Sequence, residues 1–474
     1  VFRRSLVTAF RLVCSPRGLI LAAVAALIFA QPLAAAGQQG KPQERSTPAA
    51  PATPAAPAEV SVLITQEGGR KIPLAVPASI APIDAALQGQ VVDPFYKTLV
   101  DDLGFIPNFI LSDPSLFPKG SRPPATREQG DAWIATGAQF LVDTQVQLTG
   151  EQVSVIAQVY DLRTLAAVLS KRYQAQAKSV RTVAHYLAND IVRQFFGQPG
   201  PFLTKIVFTS DRDGKGTKEV YIMDFDGQNQ SRLTYQKSLS MAPDIARDGS
   251  KIVFQSYYSR APGSLAPGLF TISRDGGQPK QVPVSTGLNA SPSLSADGKT
   301  VAYAGSVKGN PEIFTVNLDG SNLKRLTESA SIDSTPRWSP NGREIAFTSN
   351  RQGNPQIYLM DAEGANVRRV TMAGNWNDEA VFSPKGDLLA FSCRNEGDFQ
   401  VCVMDISSGR TVQVSNGPGS HENPSWSPDG SRLAWQMRRN GSTQIVSANM
   451  DGSGLKILTS LGNNYSPVWS KAVD

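Results

Sequence analysis

Six related segments decide the fold: KIVFTS at 205–210, KIVFQS at 251–256, TVAYAG at 300–305, EIAFTS at 344–349, LLAFSC at 388–393 and RLAWQM at 432–437. Each is a short apolar run rich in strand-forming residues around one aromatic. Those aromatics, Phe208, Phe254, Tyr303, Phe347, Phe391 and Trp435, are spaced 46, 49, 44, 44 and 44 residues apart. A repeat of that length is the period of a propeller blade.

The flanking sequence repeats with the same period. A second strand and Asp-Gly or Glu-Gly turn follow, as in EVYIMDFDG at 219–227, EIFTVNLDG at 312–320, QIYLMDAEG at 356–364 and QIVSANMDG at 444–452, then a short edge strand such as SRLT, KRLT, RRVT or KILT. Asp-Gly at such a junction is the chemistry of a tight turn between antiparallel neighbours. Ahead of each aromatic strand lies PDIARDG at 243, PSLSADG at 292, PRWSPNG at 336, AVFSPKG at 380 or PSWSPDG at 424, and a last partial copy, PVWS, begins at Pro467. The first repeat, 205–234, lacks that leading strand, so PVWS is expected to complete its blade and close the ring. Closure of this kind protects the sheet edges. The expectation is a six-bladed β-propeller over 201–474.

Working outward, the chain of 474 residues is long enough for a second core. Residues 59–200 mix strand and helix signals and read as a small α/β domain. EVSVLITQ (59–66) and IPLAVPASI (72–80) look like strands, and FLVDTQVQL (140–148) and QVSVIAQVYDL (152–162) flank a Thr149-Gly150-Glu151 turn as a hairpin. Asp93 and Pro94 open a helix with Tyr96, Leu99, Val100 and Leu103 on one face and Gly104 as its stop. A second helix over 179–196 carries Val180, Val183, Leu187, Ile191 and Phe195 on its apolar side and Arg181, His185, Asn189 and Arg193 as a polar stripe.

The first 36 residues hold four arginines (Arg3, Arg4, Arg11, Arg17), an apolar run from Leu19 to Ala30 and a small-residue site at Ala34–Ala36, the order of a secretory signal peptide. The run is too short to span a bilayer. Residues 37–58 collapse to Ala, Pro, Gln, Thr and Gly and read as a disordered tether. Of 46 Lys and Arg against 40 Asp and Glu, the leader holds four of the bases, so the remainder is nearly neutral and shows no basic run with interleaved aromatics. Nucleic acid is not an expected partner. The expected product is an exported, monomeric periplasmic protein with no membrane span.

No catalytic constellation emerges. The two histidines, His185 and His421, are expected at solvent, with His421 beside Glu422 a partner contact or a pH sensor, and neither supplies a metal-ligand pair. No G-x-S-x-G elbow exists. The Asp-Gly turns lack calcium-loop spacing and are explained as turns. No cofactor or metal is expected, and no enzyme. Beyond the leader, Cys393 and Cys402 lie on consecutive strands and face each other if their hairpin centres between Gly397 and Asp398. A disulfide is then compatible with an oxidising compartment, and a one-residue slip would forbid it. The residues entering the innermost strands, Met241, Ala242, Ser291, Ser334, Thr335, Asp378, Glu379, Glu422, Asn423 and Tyr465, should converge on the tunnel mouth, as a binding ring or as ordinary loop polarity.

With the leader, the α/β segment and six blades bearing WSPDG and YLMD motifs in that order, residues 59–474 resemble the TolB family, the periplasmic component of Tol-Pal systems. Similar blades occur in unrelated secreted propellers and in prolyl-oligopeptidase relatives, and the domain order narrows the choice. The resemblance implies an adaptor that binds the peptidoglycan-associated lipoprotein Pal at the tunnel mouth, here through Leu288, Asn289, Ser291 and Ser334, with Leu288 where the family has a histidine. It implies TolA binding through the segment 59–69, here Glu59, Val60, Ser61, Val62, Leu63 and Ile64 onward, which in this chain follows a tether. Support of envelope integrity and cell division would follow. The competing expectation is a secreted recognition propeller for a polymer, peptide or signal.

Overall fold

The computed structural model describes residues 71–81, 88–119, 122–258, 266–284, 287–306 and 309–470. The expected leader, the tether and the segment Glu59–Gly69 lie outside them. Among the described residues no helix is long and apolar enough to cross a membrane.

The N-terminal part is a five-stranded sheet of order β2-β1-β3-β4-β5, built from β1 (Ile72–Ala75), β2 (Phe109–Leu111), β3 (Phe140–Thr149), β4 (Gln152–Asp161) and β5 (Ala167–Gln176). β1 runs parallel to β2 and β3, and β3, β4 and β5 are antiparallel. The β3–β4 register runs from Phe140↔Asp161 to Thr149↔Gln152, so Gly150, with φ 61°, takes the left-handed turn position. Alternate residues Val153, Val155, Ala157 and Val159 face the core. β1 is shorter than the apolar run 72–80, which continues only as an isolated bridge from Ile80 to Gln145. Pro77 has no N–H to donate to a ladder.

Helices α1 (Asp93–Phe105), α2 (Arg127–Ile134) and α3 (Val180–Phe196) complete this layer. Asp93 does not cap α1, because a single π-helical turn at Gln88–Val92 leads directly into it. α2, absent from the sequence reading, opens on a capping box in which Thr126 and Gln129 each bond the other's backbone N–H. α3 ends at Gly197, whose φ of 76° suits a glycine C-cap.

Six four-stranded sheets follow, with inner strands Ser240–Ile245, Leu288–Leu294, Asp333–Trp338, Trp376–Phe382, Ser420–Trp426 and Asn464–Trp469. Consecutive inner strands touch around a closed ring. We number the blades from the one that Asn464–Trp469 completes, followed by the blades whose inner strands start at Ser240, Leu288, Asp333, Trp376 and Ser420. In the first blade Asn464 pairs with Ser210 and Trp469 with Ile206. The chain's last described strand thus becomes the inner strand of the blade that Lys205 begins, as the repeat pattern requires. The six periodic aromatics are all at most 1% exposed, packed between neighbouring blades.

Two sequence signatures find their physical cause in the blades. In the edge strands, the Thr of xRLT accepts the N–H of the third strand and donates to that strand's first side chain: Val220 N to Thr234 at 2.9 Å and Thr234 Oγ1 to Glu219 at 2.5 Å, with the same pair at Thr327 and Glu312. In the turn after the third strand, Gly364 has φ 91°, and a Cβ there would lie 2.6 Å from Leu326 O of the preceding blade. Glycine serves both the left-handed backbone and the close approach of blades.

Cys393 and Cys402 are bridged, with Cα atoms 5.8 Å apart. They are not directly opposite as expected: Cys393 pairs with Gln400 and Cys402 with Phe391. The bridge therefore joins a diagonal pair, which the twist of neighbouring strands brings within reach. Cys393→Ser should lower stability by about 2–3 kcal/mol, the chain-entropy effect of opening a loop of this length. Equilibrium denaturation of oxidised wild type and variant measures the difference, and equal midpoints would contradict it.

Candidate functional site: the mouth of the propeller

The six inner strands share one irregularity. Ala242, Ser291, Thr335, Glu379, Asn423 and Ser466 have φ between 47° and 59°. At each of them the register with the second strand shifts, as between Ala290 and Ser293 or between Glu422 and Ser425. Five precede proline, at 243, 292, 336, 424 and 467, and proline disfavours the right-handed helical region for the residue before it. Each blade therefore carries a β-bulge at the same height, which breaks the ladder and re-aims side chains.

A bulge leaves its own N–H without a ladder partner, and three of these are satisfied across to the preceding blade. Ser291 N donates to Gln255 Oε1 at 2.9 Å, Asn423 N to Glu379 Oε2 at 3.1 Å and Ser392 Oγ at 3.0 Å, and Ser466 N to Gln436 Oε1 at 3.0 Å. Apart from Glu379, these acceptors come from the position after the periodic aromatic, where Thr209, Gln255, Thr348, Ser392 and Gln436 stand. The sequence reading missed this second ring, although a polar residue after five of the six aromatics signals it; Ala304 follows Tyr303.

The expected mouth residues all lie at or near the start of the inner strands. Asp378 accepts from Thr348 Oγ1 at 2.7 Å and Thr335 Oγ1 at 3.0 Å, and from Glu379 N at 2.7 Å. Burial and the neighbouring Glu379 carboxylate push the Asp378 carboxyl up to about 6 despite these donors. Ser334 is half-buried and pairs with Thr348 across the strands, and Glu422 is half-buried opposite Gln436. Leu288 is half-buried. Asn289 is buried, its amide donating to Gly287 O at 3.0 Å and Pro267 O at 3.3 Å, so it braces the loop. Met241 and Ala242 are also buried. The ammonium of Lys218 lies 3.5 Å from the centre of the Tyr465 ring, a cation–π contact.

Neither histidine is at solvent, contrary to the sequence expectation. His421 is 1% exposed, and its Nδ1 accepts from Trp435 Nε1 at 2.8 Å. Burial lowers its pKa, so the ring stays neutral. His185 lies in the seam between α3 and the propeller, Nδ1 2.6 Å from Asp102 Oδ2 and its ring edge-on to Phe225 at 5.6 Å. Arg181, on the same stripe of α3, bonds Asp224 at 2.5 Å and Asp226 at 2.6 Å. Phe105 packs on Phe225 and under Arg432. Asp224 pairs with Lys205, at the opposite end of the blade from Ser210 and Asn464. The α/β layer therefore packs on the end away from the mouth.

Burial raises Asp102 to about 6, against the opposing pull of His185. A folded carboxyl that keeps its proton to higher pH than the unfolded one loses stability as pH rises, here between about 4 and 6. Asp102→Asn, which keeps an acceptor for His185, should gain about 3 kcal/mol on wild type between pH 4 and pH 7. Parallel denaturation curves at the two pH values measure it, and a pH-independent difference would contradict the assignment.

Residues 192–473 match the family model described as the TolB beta propeller domain. The Tol-Pal system protein TolB of Syntrophotalea carbinolica is 32% identical over 202 residues, covering 41% of this chain and 45% of that protein. The Tol-Pal system protein TolB of Geobacter sulfurreducens is 35% identical over 195 residues, covering 40% and 43%. The match thus spans under half the length of these curated relatives. The crystal structure of TolB from Acinetobacter baumannii superposes with a TM-score of 0.72 at 24% identity, covering 85% of this chain and 97% of that one, a likeness of fold.

Proposed function

The chain belongs to the TolB β-propeller family, and from that premise we propose that it is a periplasmic adaptor of a Tol-Pal envelope system that binds other proteins and catalyses no reaction. Its tunnel mouth takes a Pal-like lipoprotein, and the segment from Glu59 to Gly69 takes a TolA-like inner-membrane protein, so that the chain links the two membranes and supports outer-membrane integrity and division.

The observation that carries the reading is the ring of six bulges. A ring of backbone irregularities costs about 1–3 kcal/mol per strained residue and persists where the surroundings over-determine it. Here it sets hydroxyls, amides and carboxylates around one opening while the α/β layer occupies the other end. Loops and strand entries on a rigid scaffold are where propellers place recognition.

Two separate surfaces make a separable test. An affinity-tagged chain expressed in its own cell should bring down both a Pal-like lipoprotein and a TolA-like protein. Deleting residues 59–64 should lose the second alone, and arginine at Ser291 and Ser334 the first alone. Loss of both from either change, or of neither, would contradict the assignment of surfaces.

A further inference from the structure

Arginines that follow the periodic aromatics are used in two different ways. Arg212 in the first blade and Arg351 in the fourth lie over the ring pairs Phe208–Tyr221 and Phe347–Tyr358, and both use their donors inside the blade. Arg212 Nε donates to Ser210 Oγ at 2.9 Å and Nη2 to Asn464 Oδ1 at 2.9 Å. Arg351 Nε donates to Ser349 Oγ at 2.9 Å and Nη2 to Asp333 Oδ2 at 2.8 Å. In the fifth blade Cys393, bridged to Cys402, stands in place of that serine, and the arginine follows it by one residue instead of two.

That residue, Arg394, pairs across the strands with Trp376, the first residue of the inner strand. Its guanidinium lies 5.2 Å from the centre of the Trp376 ring and 4.5 Å from that of Phe399, in the corner of two rings set at 86°. These cation–π contacts hold the group in place, yet it makes no hydrogen bond or ion pair with any of the described residues. All three side chains are half-buried on the mouth face. The disulfide ties the arms of the hairpin that carries Arg394 and Phe399, so the corner is set before a partner arrives.

A guanidinium only donates, so its missing partner is an acceptor, and its planar fork matches the paired oxygens of a carboxylate or phosphate. Glu396 and Asp398 stand exposed in the same turn and repel a polyanion, which favours a single carboxylate. Met372, 75% exposed on the connection leading to Trp376, adds apolar surface beside it. An arginine held against aromatics within an apolar surround is the composition of an interface hot spot.

We propose that Arg394 is a specificity-determining contact of the mouth face, and that it receives an aspartate or glutamate side chain of the protein that docks there. The inference rests on the reading of the mouth as a protein-binding face and names the chemistry its partner must present at the rim of the fifth blade.

The test uses the chain from residue 37 to 474 and the soluble domain of the same cell's Pal-like lipoprotein. Arg394→Gln should weaken binding about tenfold or more, the worth of a charge-assisted hydrogen bond or two. Arg394→Lys should recover only part of it, because an ammonium lacks the fork. Arg394→Glu should abolish binding, and arginine in place of the contacting acid on the partner should restore it. Equal affinity of wild type and Arg394→Gln overturns the proposal. A second arm separates it from the adaptor reading: a photo-crosslinking benzoylphenylalanine at Asn395, the exposed neighbour of Arg394, in the protein's own cell. A protein adduct lost on Arg394→Gln supports the contact. If that adduct is a protein other than a Pal-like lipoprotein and the lipoprotein does not bind, the contact stands and the adaptor reading falls. No adduct, or one indifferent to Arg394→Gln, overturns the contact.

Discussion

Trp469→Ala is expected to cost about 3–5 kcal/mol of stability, the range for truncating a large aromatic in a packed core. Trp469 is 6% exposed and sits on the strand that closes the ring. Its backbone N–H donates to Ser425 Oγ of the sixth blade at 2.9 Å, and its indole to Thr204 Oγ1 at 2.7 Å, where the α/β layer passes into the propeller. The substitution thus opens a cavity where the last blade, the first blade and the entry segment meet. Trp469→Phe keeps most of the buried area and loses the indole bond, so it should cost only about 1–2 kcal/mol, because the Thr204 hydroxyl still donates to Pro201 O at 2.6 Å. Guanidinium denaturation followed by far-UV circular dichroism separates the two. An alanine variant as stable as wild type would mean that the closing strand does not hold the ring together.

The propeller was legible because its signal is redundant. The period, the aromatic, the turn glycine and the PVWS clasp each point to the same ring, and the observed pairing of Asn464–Trp469 with Lys205–Ser210 follows from them. The α/β layer was legible where alternation is strong, as in β3 and β4. β5 was missed because AVLSKRYQAQ does not alternate cleanly: it is an edge strand, and most of its residues are exposed or half-buried. Lys171 and Arg172 on it are the charges that discourage edge pairing. The short α2 was readable in principle from the Thr126 and Gln129 capping box.

The polar stripe of α3 misled for a physical reason. Periodicity distinguishes apolar from polar faces, and a polar face is expected at solvent. Here the facing surface of the propeller is itself charged, with Asp224 and Asp226 receiving Arg181, so a second buried face carries no hydrophobic signature. The cysteine hairpin shows the same limit at finer scale. Its turn centres between Glu396 and Gly397, one residue before the expected centre, and the resulting two-residue change of partner sets Cys393 opposite Gln400 instead of Cys402, a shift that local composition does not encode. At the mouth, the positions entering the strands were readable. The bulge was not, because a left-handed residue before proline has no distinctive composition: Ala, Ser, Thr and Asn all occupy it.

Arginine at both Ser291 and Ser334 is expected to lower the affinity for a Pal-like lipoprotein by about a hundredfold or more, the scale of a disrupted interface centre. The two serines belong to neighbouring blades at the opening. Ser291 is 8% exposed, at a bulge whose N–H is already anchored to Gln255, so a long cation there must extend into the space that a partner would fill. Arginine adds bulk and charge to both positions without removing a core side chain, and an unchanged circular dichroism spectrum would verify that the ring is intact.

Calorimetric titration of residues 37–474 with the soluble domain of the same cell's Pal-like lipoprotein, beside this double variant, tests the central claim most directly. The adaptor account predicts saturable binding by the wild type that the double variant loses. A folded wild type that takes up no lipoprotein, or a double variant that binds as tightly as wild type, would contradict it.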